Sequence, residues 1–422
     1  MEHSAIILFS VPVFGAMMLG EFLYGIQKQK NTYRLNDTLC SLTLGLLSRF
    51  PAILNLAILS LVYATILKYF NSTLLSSDSW MTWVLAFLLY DFCYYWQHRL
   101  SHERTLLWAS HVVHHQSEDY NLGTALRQTS TSFLFAWVFY VPMFLAGVPL
   151  GIFFTIAAVN LIYQFWVHTE HIGKLGFLEK ILVTPSNHRV HHACNKNYID
   201  ANYGGVFIFW DRIFGTFIDE RASVKPIYGT LKPFRSWNPV WANLEVYHQM
   251  LRDSWHTERV RDKLRIWVSR TGWRPNDVRE RFPLPRMSPL DPVKYETNIS
   301  LTYQIFAVSQ FVASALTAFF VIITQENLTD SEIAAFAIII AASAVTSSGY
   351  LNVSKKIIRL ELVRSIFVMA LVFLTPLWNF ELVAVQILWV HAVLNVMLIP
   401  MLLNYGLGAD KMPLQQESRS DC

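Results

Sequence analysis

Fourteen histidines occur in the sequence, and ten of them fall between His98 and His192. They form four clusters. His98 and His102 make an HxxxH box, and His111, His114 and His115 make an HxxHH box. His168 is followed by His171, and His188, His191 and His192 repeat the HxxHH pattern. On a helix, residues three and four apart share a face, so each box turns its imidazoles in one direction. Imidazole is the commonest protein metal ligand and suits iron, copper and zinc. The eight box histidines exceed the coordination number of one ion, which makes two adjacent metals the economical reading. The isolated His3, His248, His256 and His391 read as ordinary surface or hydrogen-bonded residues.

Imidazole ligation without an evident bridging carboxylate is the kind of open non-haem iron site that activates dioxygen. Attack on an unactivated C–H bond of a lipid needs that oxidising power, and hydrolysis does not. The chain has no GxSxG, no P-loop, no CxxCH haem attachment and no GxGxxG fingerprint, so electrons are expected from an outside donor or a diffusible cofactor. Cys40, Cys93, Cys194 and Cys422 form no CxxC pair, which excludes a disulfide scaffold and a thiolate zinc ribbon. A net charge of +4 gives no reason to expect nucleic acid.

The elements that must position these histidines belong to a membrane protein. Apolar residues make up 53% of the 422 and charged residues 15%, against about 25% charged in soluble chains. The fold class expected is all-α, a polytopic integral membrane protein. Apolar runs cover residues 6–24, read as a retained anchor, then 39–69 and 80–96, the last ending in an aromatic cluster. The stretch 133–167, broken by Pro142, Gly147, Pro149 and Gly151, reads as two crossings or a hairpin that dips in and returns. Residues 168–300 are polar, and four more apolar runs follow at 302–323, 333–349, 362–378 and 382–403. The domains expected are N-terminal membrane helices over 1–79, a histidine-box catalytic domain over 80–300, C-terminal membrane helices over 301–404 and a polar tail over 405–422.

Charge sets the expected orientation. Lys28, Lys30 and Arg34 follow the first span, residues 70–79 lack Lys and Arg, and residues 211–300 hold 16 Lys and Arg against 11 Asp and Glu. The boxes then lie just past span ends on the cytosolic face, provided 133–167 returns to the side it left. Sequons occur at Asn71, Asn298, Asn327 and Asn352, and little glycosylation is expected at any of them. Glu361, Arg364, Glu381 and His391 read as isolated ionisable residues in the C-terminal spans.

The boxes resemble the fatty acid hydroxylase and sterol desaturase superfamily of membrane di-iron oxygenases. The resemblance runs from about residue 91 to 217 and includes Asn202-Tyr203-Gly204-Gly205-Val206 and Phe209-Trp210-Asp211-Arg212-Ile213-Phe214-Gly215-Thr216-Phe217. Within it, His98-Arg99, His102-Glu103, Trp108, Ser117-Glu118-Asp119-Tyr120-Asn121-Leu122, Thr124-Ala125-Leu126-Arg127-Gln128 and Tyr163-Gln164-Phe165-Trp166-Val167-His168-Thr169-Glu170 are similar to the alkylglycerol monooxygenase family, as are the extra C-terminal spans.

That resemblance implies two iron ions, tetrahydrobiopterin and O2. It implies hydroxylation of the ether α-carbon of an alkylglycerol lipid and collapse of the hemiacetal to a fatty aldehyde and a glycerol derivative. It places the chain in the endoplasmic reticulum membrane, among membrane lipids. It carries over His98, His102, His111, His114, His115, His188, His191 and His192 as metal ligands, with His168 as a ninth, and Glu103 as a carboxylate for proton handling or for orienting a ligand. Gln164 is a candidate to hold a metal-bound water, His171 to ligate or to stand behind the ligands, and Glu118, Asp119, Tyr120 and Asn121 to shape the pterin or substrate pocket, with Asp119 equally readable as a helix cap or an acceptor behind a ligand. Arg127 pairs with a carboxylate or a lipid head group, or is structural. The alternative is a sterol or fatty-acyl hydroxylase or desaturase fed by a cytochrome b5-type donor. A His-lined transporter fits less well, because its ionisable groups would sit in mid-span.

Overall fold

The structure, a computed structural model, describes residues 2–49, 51, 58–70, 74–286, 293–374 and 381–405. The sequon at Asn71 and the polar tail beyond residue 405 lie outside these residues. No strand occurs among the described residues, which hold helices and three isolated bridges. The chain divides into two compact units, Met1–Thr297 and Asn298–Cys422.

The first unit contains α1 (Glu2–Gln27), α2 (Leu35–Leu47), α3 (Ile58–Phe70), α4 (Trp80–Glu103), α5 (Thr105–Ala109), α6 (Val112–His115), α7 (Leu122–Ala125), α8 (Trp137–Leu145), α9 (Leu150–Trp166), α10 (Pro185–His192), α11 (Phe209–Ile213), α12 (Pro239–His256), α13 (Val260–Val268) and α14 (Asn276–Arg281). The apolar run over 39–69, expected to be one span, is broken. α2 ends at Leu47, where the Ser48 hydroxyl donates to the Gly45 carbonyl, and Pro51, with no N–H to donate, follows. At 13 residues α2 is about 20 Å long, short of the roughly 30 Å bilayer core. Its buried Asn36, Asp37, Ser41 and Thr43 give it a different task.

The 133–167 stretch is two helices joined at Gly147, whose φ of 81° a side chain would strain. α8, with nine residues, spans only about 14 Å and is too short to cross alone, which favours the hairpin. Tyr140, Met143 and Phe144 of α8 and Ile152, Phe153 and Ile156 of α9 close a core on Tyr90 and Cys93 of α4, with Tyr90 and Tyr140 stacked at 5.0 Å. α4 is one continuous helix of 24 residues, so the expected span at 80–96 runs straight into the first histidine box.

The second unit contains α15 (Leu301–Thr324), α16 (Asp330–Leu351), α17 (Lys355–Leu374) and α18 (Val383–Tyr405). Three helices, Leu301–Asn327, Asp330–Leu351 and Val383–Leu403, are long and apolar enough to cross a membrane. α16 opens with a capping box between Thr329 and Glu332. The ionisable residues here are not isolated as expected. Glu361 accepts from Arg364 at 2.6 and 2.8 Å, from Thr346 at 2.5 Å and from Asn395 at 2.6 Å, and His391 lies 3.4 Å from Asn395. The separations of 15 and 34 residues between Glu361 and its partners Thr346 and Asn395 hide contacts that three packed helices create. Glu361→Ala leaves Arg364 buried without its partner. A loss of about 3–5 kcal/mol is expected, read as a lower unfolding midpoint in detergent.

Candidate metal centre

α4 presents His98 and His102 one turn apart. His111 is the N-cap of α6, which ends in His114 and His115. His168 follows the last turn of α9, its N–H on the Phe165 carbonyl. α10 carries His188, His191 and His192. It starts at Pro185 behind a Thr184–Asn187 capping box, and all eight of its residues are buried. These segments converge on two groups. His98, His102, His111, His115 and His191 form one, and His114, His168, His188 and His192 form the other. Within each, the ligand nitrogens lie within 4.8 Å of one another. The structure thus brings together all nine histidines singled out from the sequence.

The division follows helical geometry. Pairs four apart, 98/102, 111/115 and 188/192, stay in one group. The members three along cross over: His114 joins 188/192, and His191 joins 98/102 and 111/115. A step of four turns a side chain by about +40° and a step of three by about −60°, so a helix lying between two centres serves both. The groups abut, with His115 and His192 stacked at 4.4 Å.

Hydrogen bonds fix the tautomers. The Nδ1 atoms of His98, His114, His168 and His191 lie 2.8, 3.0, 2.7 and 3.0 Å from the carbonyls of Tyr203, Arg127, Gln164 and Ala201. A carbonyl only accepts, so each Nδ1 carries the proton and each Nε2 keeps a lone pair. Yet the Nε2 atoms of His114 and His168 stand 3.2 Å apart, where two lone pairs would repel. His102 Nε2 and His191 Nε2 are buried without a partner. Burial pushes the His114 imidazole down to about 4 and holds His115, His191 and His192 well below their ordinary value. The rings therefore stay neutral, the form that binds metal. A cation bound in either group would satisfy its converging lone pairs, and the imidazole donor set fits iron, as it fits copper and zinc.

Two buried carboxylates hold the frame. Asp91, on α4, accepts from the N–H groups of Val206 and Phe207 at 2.8 and 3.1 Å, from Asn160 at 3.1 Å and from Trp210 Nε1 at 3.1 Å. Asp211 accepts from the N–H groups of Tyr203 and Gly204 at 2.7 and 2.8 Å and from Thr216 at 2.7 Å. Together they pin the loop whose Tyr203 carbonyl orients His98. The approach is close enough that a Cβ on Gly205 would sit 2.8 Å from Asp91 Oδ1. Sequence reasoning gave neither Asp a role, because the link between residues 91 and 206 appears only on folding.

Other sequence-derived candidates fall elsewhere. Glu103 accepts from Arg99 Nε at 2.8 Å and belongs to neither histidine group. The Gln164 side chain is occupied by Tyr94 and Asn160, and its carbonyl orients His168. His171 packs edge-on against Tyr24 at 5.2 Å, outside both groups. Asp119 pairs with Arg34 at 2.7 Å and Lys294 at 2.6 Å, while Glu118 accepts from the Tyr295 N–H. Tyr120 stacks on Tyr228 at 4.8 Å and borders His192 and His168. Asn121 caps α7. Arg127 is fully buried and bonds the Val113 carbonyl and Ser41, with Asp37 at 3.8 Å, so the polar face of α2 supports the second box.

A cavity of about 290 Å³ opens against the centre. His102, His115, His191 and His192 line it, with Trp108, Val112, Gln116, Asp200, Met250, Ile266 and Trp273. The Gln116 Oε1 has no partner. Asp200 has a φ of 61° and lies 4.0 Å from His102 Nδ1, with its side chain 58% exposed at the cavity rim. No motif flagged Asp200.

A family model described as fatty acid hydroxylase matches residues 83–216, the stretch that holds every histidine of both groups. Human alkylglycerol monooxygenase is 39% identical over 305 residues, covering 72% of this chain and 68% of the human protein. The chain belongs to the alkylglycerol monooxygenase family. The Danio rerio alkylglycerol monooxygenase is 42% identical over 272 residues, 64% of this chain and 60% of that protein. An ornithine lipid hydroxylase of Rhizobium tropici is 31% identical over 140 residues, 32% of this chain and 41% of its own length. The matched stretch thus spans about two thirds or less of each of these relatives. No solved structure matches the chain. Membership of the alkylglycerol monooxygenase family, with a fatty acid hydroxylase domain, makes the protein an oxidoreductase.

Proposed function

We propose that the chain is a tetrahydrobiopterin-dependent monooxygenase that cleaves the ether bond of alkylglycerol lipids. The observation that carries this reading is the pair of buried, neutral histidine groups at the floor of a cavity, in a chain of the alkylglycerol monooxygenase family. His98, His102, His111, His115 and His191 hold one iron, and His114, His168, His188 and His192 the other. When bound, an iron pair with tetrahydrobiopterin supplies the power to insert one atom of O2 into an unactivated C–H bond, the pterin giving the two electrons with which the other atom leaves as water.

The chain's own residues do the rest. The Tyr203, Arg127, Gln164 and Ala201 carbonyls hold the imidazoles in the ligating tautomer. Trp108, Val112, Met250 and Ile266 give the cavity an apolar wall for an alkyl chain and keep water from it. Trp108 and Trp273 offer aromatic faces, and Gln116 a free acceptor, to a planar pterin. Hydroxylation at the ether α-carbon yields a hemiacetal. As its C–O bond breaks, the hydroxyl proton leaves and the glycerol oxygen gains one. Asp200, on the cavity wall and 4.0 Å from His102 Nδ1, is the carboxylate placed to take that proton. The membrane location follows from the apolar helices. The charge asymmetry of the loops supports a site that faces the cytosol, and the endoplasmic reticulum location rests on the family resemblance alone.

Glu103 acts in this reading as a positioning residue. It holds Arg99, which donates to the Tyr95 hydroxyl at 3.2 Å. Tyr95 meets Thr216 at 2.9 Å, and Thr216 bonds Asp211. Glu103→Gln is expected to lower kcat only a few-fold, without displacing the pH profile and with metal content retained. Direct proton transfer by Glu103 would cost about 10²–10⁴-fold.

The reading is tested in membranes expressing the chain. With an alkylglycerol and O2, fatty aldehyde is expected with tetrahydrobiopterin and not with NADH, cytochrome b5 and its reductase. The opposite result, together with turnover of a sterol or acyl lipid, would favour the hydroxylase or desaturase alternative.

A further inference from the structure

The polar region 168–300 carries an apolar surface that composition does not reveal. On α13, Val260, Leu264 and Val268 are 72%, 73% and 66% exposed, at three positions four apart. Residues four apart form one stripe along a helix. On α12, Leu244, Leu251 and Trp255 are exposed in the same way, Trp255 at 82%. Arg252, Arg259, Arg261 and Arg265 are exposed beside these residues. A soluble surface scatters its exposed apolar residues singly. An apolar stripe with cationic flanks is the pattern of a helix lying in a headgroup layer.

The same helices roof the cavity. Met250 and Asp253 on the buried face of α12, and Ile266 on that of α13, line it together with the histidines. Their height is fixed by the end of α4. The Thr105 N–H donates to the Ser269 carbonyl at 3.0 Å, the Thr271 N–H to the Glu103 carbonyl at 3.2 Å, and Arg104 bridges Arg270. The last turn of α13 is therefore bolted to the C-terminal end of α4 at Glu103, about 10 Å along the helix beyond the expected span end at residue 96. A helix held there by its buried face turns its other face to the level of the membrane surface.

We infer that α12 and α13 seat on the bilayer, with Trp255, Val260, Leu264 and Val268 in the headgroup layer of an anionic leaflet, and form the portal through which a lipid reaches the cavity. The bilayer is favoured over a second copy of the chain because four arginines flank the stripe, and like charges on two copies would face each other. The portal role rests on the ether-lipid reading given above, and the seating does not.

The test uses the full chain in nanodiscs of phosphatidylcholine and phosphatidylserine. A nitroxide is placed singly at Trp255→Cys, Leu264→Cys or the exposed control Ser223→Cys. Cys422 is replaced by serine, and Cys40, Cys93 and Cys194 are left in place because they are buried. Labels at 255 and 264 are expected to collide more with O2 than with a water-soluble nickel chelate, and the label at 223 to show the reverse. Collision at 264 matching that at 223 would overturn the seating, and so would exclusion of both reagents, which would mean that protein covers the stripe. The portal is tested with the double variant Leu264→Glu, Val268→Glu. For a long-chain alkylglycerol in the bilayer, kcat/KM is expected to fall about tenfold through KM. For a short-chain, water-soluble alkylglycerol it is expected to stay unchanged. Equal loss on both substrates, or loss on neither, would overturn the portal. If the unaltered chain makes no aldehyde at all, the ether-lipid reading fails, while the nitroxide depths still decide the seating.

Discussion

Replacing His191 with alanine is expected to cut aldehyde formation at least about 100-fold and to lower bound iron in the purified protein. Loss of a group that merely orients a ligand already costs about 10–100-fold, and His191 stands inside its group. Its Nδ1 is held by the Ala201 carbonyl, its Nε2 has no protein partner, and its ring lies 4.4 Å from that of His98. His171→Ala is the matched control. His171 belongs to neither group, so iron content and turnover should stay close to those of the unaltered chain. Metal analysis and aldehyde release from the two variants check the pair. An iron-replete, active His191→Ala enzyme would remove this histidine from the centre.

The second large effect is expected at Asp91. Asp91→Ala strands the N–H groups of Val206 and Phe207, the Asn160 amide and the Trp210 indole N–H in a buried place. An unsatisfied buried donor costs about 1–3 kcal/mol. Four together approach the roughly 5–15 kcal/mol by which whole domains are stable. The variant is therefore expected to accumulate poorly and to bind no metal, although Asp91 is not itself a ligand. Asp91→Asn retains an acceptor for some of these donors and should yield folded protein with a lower unfolding midpoint and weaker iron retention. Melting curves and iron content of the asparagine variant separate this framing role from ligation, because a ligand lost would empty the site without shifting the melt of the apoprotein.

Much of the centre was legible because its ligands recur at helical spacing. HxxxH and HxxHH announce shared faces, and the eight histidines picked out that way converge together with His168, which the resemblance added as a ninth. How they divide was not legible, since spacing alone does not say that His114 and His191 turn to the neighbouring group. The carboxylates fared differently. Glu103 was singled out for standing beside a box, yet its side chain turns to Arg99. Asp91 and Asp200 carried no motif of their own, because their partners are distant in sequence, and Asp211, although inside the quoted stretch 209–217, gave no sign that it holds the Tyr203 and Gly204 N–H groups. Among the apolar runs, 80–96 was legible as one continuous helix, α4, although α4 is not among the three helices long and apolar enough to cross a membrane. The break after α2 was not legible, because an apolar run of 31 residues over 39–69 is long enough to read as one tilted helix. The Glu361 network was hidden for the same reason as Asp91, its members being spread over α16, α17 and α18.

The central claim is that the histidine centre inserts one oxygen atom at the ether carbon. Reaction of the iron-loaded enzyme in nanodiscs with an alkylglycerol, tetrahydrobiopterin and ¹⁸O2, trapping the aldehyde at once by reduction to the alcohol, tests it directly. Oxygenation followed by hemiacetal collapse predicts ¹⁸O in the trapped fatty alcohol and none in the glycerol product. Unlabelled alcohol, or product formed equally well without O2, would contradict the account.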